Sequence, residues 1–92
     1  MVAVHSLRRG RAEAIEAIAH GDEKSSRVVG RGVRDLKLPP GTGIGAILRD
    51  DKVIIPHKDT IIQAEDHIIL FMVNKKYIPE VERMFQVDVM FL

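Results

Sequence analysis

Half of the apolar side chains in this chain are β-branched: of 42 hydrophobic residues, 11 are Ile and 10 are Val. Branching at Cβ suits the pleat of a sheet and loses rotamer freedom in a helix, so the composition predicts a β-rich fold. Ninety-two residues make one domain, too short for a two-domain enzyme with an interdomain cleft. A hydrophobic content of 46% supports an ordinary core without covalent staples. The absence of cysteine excludes disulfides and thiolate metal sites and fits a reducing compartment. The longest uncharged apolar run, Ile68 to Val73, is far short of the roughly 20 residues a membrane-spanning helix needs, and no signal-peptide core opens the chain. A soluble protein is expected. A net charge of +1 points neither to a polyanion binder nor to a disordered acidic segment.

Val2 to Leu7 alternates as a strand does, and Arg8-Arg9-Gly10-Arg11 then breaks it. Ala12 to His20 is ambiguous: its Ala and Glu favour helix, while a period of two gathers Glu13, Ile15, Ala17 and Ala19 on one face. Gly21 to Ser26 is turn chemistry, with Ser25 or Ser26 placed to cap a short helix bearing Val29, Val33 and Leu36, which Pro39-Pro40 stops. Ile44 to Arg49 and Val53 to Ile55 flank Asp50-Asp51-Lys52 at the spacing of a short-loop hairpin. His67 to Val73 reads as a buried strand. Asn74 is placed to cap a final amphipathic helix, in which Tyr77, Ile78, Val81, Met84 and Phe85 recur at helical spacing and Pro79 sits in the first turns. The apolar tail with Val87, Val89, Met90, Phe91 and Leu92 calls for cover.

No motif carries chemistry. Gly41-Thr42-Gly43 opens like a P-loop, but Ile44-Gly45 stands where the phosphate-binding Lys and the Mg²⁺-binding hydroxyl belong, so ATP hydrolysis is not expected. Gly41, Gly43 and Gly45 miss the dinucleotide fingerprint by one place and have no βαβ unit around them, and Gly45 reads as a bulge or close contact. His5, His20, His57 and His67 lack metal-ligand spacing. Ser6, Ser25, Ser26, Thr42 and Thr60 sit in strands or turns without a nucleophile elbow. Asp50-Asp51 and Glu65-Asp66 read as solvated turn carboxylates. Arg8, Arg9, Arg11, Arg27, Arg31, Arg34 and Lys37 could form one basic patch, but Phe71, Tyr77, Phe85 and Phe91 lie elsewhere, so a nucleic-acid partner is not expected.

Val29-Gly30-Arg31, Leu36-Lys37-Leu38-Pro39, Ile44 to Arg49, Ile55-Pro56, Asp59-Thr60 and Asp66-His67-Ile68-Ile69 together resemble the C-terminal domain of RCK proteins, the TrkA-C family. The resemblance extends over residues 1–92 as one domain. It implies an α+β fold: a small, mostly antiparallel β-sheet domain with one short helix and a C-terminal amphipathic helix, and a strand rather than a helix at Ala12 to His20. It further implies a non-enzymatic regulatory and dimerisation domain of a cytoplasmic subunit gating bacterial Trk-type potassium uptake, peripheral to the inner membrane through the transporter. Its partners would be a second copy, RCK N-domains and, indirectly, the Trk membrane subunit. NAD(H) or ATP would belong to those N-domains, with no cofactor on this chain. Where some relatives read cyclic di-AMP with Asp or Asn, Arg and Asn, this sequence has Lys37, Pro39 and Gly43, which argues against that ligand. Glu65 replaces the glycine usual before Asp66. The alternative reading is a small-ligand, nucleotide-sensing domain with a pocket lined by Arg49, Ile55, Pro56 and His57.

Overall fold

The computed structural model describes residues 2–7 and 12–87. Five strands, β1 (Val2–Leu7), β2 (Ala12–Ile18), β3 (Thr42–Arg49), β4 (Lys52–Ile54) and β5 (His67–Met72), form one antiparallel sheet in the order β1-β2-β5-β3-β4. The most apolar strand, β5, takes the centre, paired on both edges. Its alternate residues part: Ile68, Leu70 and Met72 are buried, while Ile69 and His67 are half-buried and Phe71 is exposed. The strand is thus central in the sheet without being buried on both faces.

The ambiguous segment is a strand, as the resemblance implies. Glu13, Ile15 and Ala17 of β2, with Ala19 beyond it, are buried on the same side as Ile68. Pairing to β1 and β5 satisfies the backbone of β2 along both edges, and that tertiary ladder overrides the helix propensity of Ala and Glu. The Asp50-Asp51 hairpin also forms: β3 and β4 close with Arg49 opposite Lys52, and Asp50 and Asp51 have φ of 48° and 65°. Positive φ at both loop residues is what a two-residue turn needs to match the twist of its strands. Gly45 lies at a bulge, where the β3–β5 register shifts between Ile44 and Ala46. A Cβ on Gly45 would fall within the Phe71 ring, so only glycine lets that ring lie against β3.

The short helix contracts to one 3-10 turn, Val33–Asp35. The segment before it pairs across space instead: Gly30 N–H donates to Ile62 O (2.8 Å), Ile62 N–H to Arg31 O (3.0 Å) and Val33 N–H to Thr60 O (2.9 Å). Ser26 caps, but it caps a turn, its buried Oγ accepting from the N–H groups of Val28 and Val29 at 3.0 Å each. Backbone donors committed to these partners are not free to form an i to i−4 ladder. The last helix, α1 (Ile78–Met84), follows a 3-10 turn that Asn74 caps by accepting from Lys76 N–H. Val81 and Phe85 enter the core, and Tyr77, Ile78 and Met84 pack against it, as the helical spacing predicts. Val87 is half-buried; residues 88–92 of the apolar tail, and Arg8, Arg9 and Arg11 of the basic set, lie outside the described residues.

The core joins Ile15, Ile47, Ile68, Leu70 and Met72 of the sheet to Val28, Val29, Ile62, Val81 and Phe85. All of the buried hydrophobic residues described in β2 to β5 face this one side. The other side carries Ala14, Ile18, Ala46, Leu48, Val53, Ile69 and Phe71, none of them buried.

Candidate functional site

Two features stand out: a buried ion pair at one end of the sheet and the open face beside it. Arg49, the last residue of β3, donates from Nε to Asp66 Oδ1 (2.8 Å) and from Nη2 to Asp66 Oδ2 (2.7 Å), a two-point contact that fits the planar guanidinium. Asp66 is 1% exposed and also accepts from Gln63 N–H (2.9 Å). The Asp66 bonds raise the proton affinity of Arg49 above that of a free guanidinium, against the opposing effect of partial burial. Arg49 Nη2 also reaches Ile61 O at 3.0 Å. Arg49 therefore ties the β3–β4 hairpin to the 61–66 loop, which in turn holds the 30–33 segment.

Glu65 and Asp66, both expected to be solvated, separate. Glu65 is exposed; Asp66 is buried. Glu65 keeps the left-handed backbone that glycine would adopt, with φ of 68°, and its Oε1 lies 3.3 Å from His20 Nδ1. Asp50, Asp51 and Glu65, with Leu48, Val53 and His67, border a surface cavity of about 470 Å³. Of the expected pocket residues, Arg49 is turned to Asp66, Ile55 is 74% exposed, Pro56 is half-buried, and His57 is exposed, its Nδ1 accepting from Asp59 N–H at 3.2 Å.

The four histidines stay apart. His20 meets Glu65, His57 meets its own loop, and His67 Nδ1 lies 3.0 Å from Glu16 Oε2; His5 is on β1 opposite Ala14. Among the described residues no group of three or more His, Asp or Glu side chains is disposed to hold a metal ion. The described arginines of the basic set are engaged locally: Arg27 with Arg83 O (2.9 Å), Arg31 with Val29 O (3.4 Å) and Arg34 with Asp59. Asp22 sits in a turn, where the Ser25 N–H, the Ser25 hydroxyl and the Lys24 N–H hold its carboxyl below the usual carboxylate range.

The open face is the larger feature. The register sets Ile18, His67, Leu48 and Val53 in one row across the strands, Glu16, Ile69 and Ala46 in the next, and Ala14 with Phe71 beyond. Val53 is 67% and Phe71 46% exposed. Such an apolar patch on one side of a sheet is the usual mark of an association surface. Overall hydrophobicity of His67 to Val73 hides it; the alternation within β5, taken with that of β2, is the signal that separates the faces.

Comparison with known proteins agrees with the geometry. The TrkA-C domain model matches residues 22–86. The chain is 59% identical over 92 residues to the Trk system potassium uptake protein TrkA of Vibrio alginolyticus and 57% identical over 91 residues to that of Halomonas elongata, covering 100% and 99% of this chain. It spans only 20% of the length of each of these relatives. A solved structure described as "Structure of RCK domain with cda" superposes with a TM-score of 0.63 at 20% identity, over 79% of this chain and 97% of the other, a likeness of fold. With the family model covering most of the chain, this chain belongs to the TrkA-C domain family.

Proposed function

We propose that residues 1–92 act as one non-enzymatic regulatory and dimerisation domain of a cytoplasmic subunit that gates Trk-type potassium uptake. The observation that carries this reading is the open apolar face of the sheet. Fully burying a large apolar side chain is worth about 1.5 to 3 kcal/mol, so Leu48, Val53, Ile69 and Phe71 favour a cover. A second copy supplies one, with closed two-fold symmetry as the default. The TrkA proteins it matches are about five times its length; in this reading its regulatory output passes to RCK N-domains, which would carry NAD(H) or ATP. Through them it acts on the membrane subunit, peripheral to the inner membrane; no helix among the described residues is long and apolar enough to cross a membrane. β1 and β2 precede the matched range, yet β2 pairs with β5 inside it, which supports one domain.

Sedimentation at micromolar concentration tests the reading. The expected result is a dimer that Ile69→Glu disrupts; a single species near 10 kDa would overturn it. The second reading, a nucleotide sensor at Arg49, Ile55, Pro56 and His57, requires Arg49 to leave a buried carboxylate, and the neighbouring cavity is bordered by three acidic residues that repel phosphate. A thermal-shift screen of nucleotides separates the two: stabilisation at high concentration would favour the sensor.

A further inference from the structure

On the open face the described side chains of β2 to β5 are apolar apart from one titratable pair, and His5 of β1 shares the face by register. Glu16 on β2 and His67 on β5 stand diagonally in neighbouring rows, 3.0 Å apart, with Ile18, Leu48 and Ile69 at adjacent register positions. Both are partly exposed, at 37% and 44% of their side chains, so a body docking on this face would withdraw them from water. We propose that a second copy of this chain docks on this face and that the Glu16–His67 pair makes the docking pH-dependent, tighter when the imidazole is protonated. This rests on the dimer reading above and adds its regulation.

A second copy fits the face for two reasons. The pair presents one cation and one anion when His67 is charged, so a two-fold axis can set unlike charges against each other, which a partner of one strong sign could not match. Five strands about 4.8 Å apart and about six residues long make a footprint of roughly 400 Å² in plan; with side-chain relief, two such faces approach the roughly 1,000 Å² a specific interface needs.

The sign follows from what is taken out of water. With His67 protonated, the buried pair is neutral overall. With His67 neutral, docking buries the Glu16 carboxylate without a counter-charge, which is costly. Among the described residues the remaining charged neighbours do not compensate. Asp50 and Asp51 come from the β3–β4 turn and Glu65 from the loop before β5, all bordering the same cavity as His67. Asp66 is held by Arg49, Lys52 stands by register on the opposite side of the sheet from Leu48 and Val53, and His20 meets Glu65. Like carboxylates on both copies would then oppose docking. The dimer takes up protons on forming, so its affinity falls as pH rises. If docking raises the proton affinity of each imidazole about threefold, the two together change dimer affinity roughly tenfold.

The test is sedimentation equilibrium of the 92-residue chain between about pH 5.5 and 8.5, the span over which an imidazole titrates. Wild type, His67→Gln and Glu16→Gln would be compared, with circular dichroism verifying that each is folded. Expected is a wild-type dissociation constant rising about tenfold across the range. His67→Gln should abolish that dependence, separating His67 from His5, which lies opposite Ala14 on β1. Glu16→Gln should dimerise tightly at high pH. A dimer whose affinity ignores pH, or whose pH dependence survives His67→Gln, overturns this inference and leaves the dimer standing. A monomer at every pH overturns both.

Discussion

The two faces of the sheet are built from the same strands, and often from adjacent residues, yet meet different surroundings. Ile68, Leu70 and Met72 lie against Val28, Val29, Ile62, Val81 and Phe85, sealed from water. Ile69 and Phe71, no less apolar, remain half-buried or exposed beside Leu48 and Val53. The charged groups divide as well. On the covered side, Asp66 has three donors from Arg49 and Gln63; on the open side, Glu16 and His67 have each other. Burial on the first side is complete within one chain. On the second it is incomplete, with Val53 and Phe71 open to water.

The largest expected effect breaks the covered side. Asp66→Ala leaves Arg49 and the Gln63 N–H without their partner and should cost about 3 to 5 kcal/mol, read by chemical denaturation. Next is a paired test of the faces. Ile68→Ala should cost about 2 to 5 kcal/mol through loss of contacts and a residual cavity. Ile69→Ala, one residue away, should cost under about 1 kcal/mol at concentrations where the chain is monomeric, and weaken dimerisation instead. Equal losses of monomer stability would dissolve the distinction.

Gly45→Ala sharpens the comparison from the open side. Its Cβ meets the Phe71 ring, and the expected cost is about 1 to 3 kcal/mol, much of which a second change, Phe71→Ala, should relieve in a double-mutant cycle. Glu65→Gly should run the other way: it removes a left-handed non-glycine residue and loses only an exposed contact to His20, for a net gain of roughly 0.5 to 1 kcal/mol in melting experiments. The smallest effect is at Asp22. Because its folded carboxyl has a lowered proton affinity, its stabilising contribution is present above the ordinary carboxylate range and is lost as pH falls through the lowered value. The difference between wild type and Asp22→Asn should therefore narrow as the solution is acidified, in thermal melts taken between about pH 5 and 2.

The elements with local causes were legible in the sequence. Asp50-Asp51 between alternating apolar runs specifies a turn from backbone preferences alone, and Asn74, Pro79 and the spacing Tyr77, Ile78, Val81, Met84 and Phe85 specify a helix and its buried stripe. Gly45 marked a close approach because a glycine inside a strand pattern has few other uses. Long-range contacts decided the rest. Ala12–Ile18 is a strand because β1 and β5 complete its hydrogen bonds, against the preference of its own residues. The 28–36 segment gives up a helix because residues 58–62 take its donors. Asp66 is buried, and Glu65 is not, because Arg49 arrives from seventeen residues away with two donors for one of them. Above all, alternation determines that each strand has two sides, but which side is covered depends on where α1 and the 28–38 segment come to rest. That placement is the sum of contacts between residues distant in the chain, and periodicity within one strand carries no information about it.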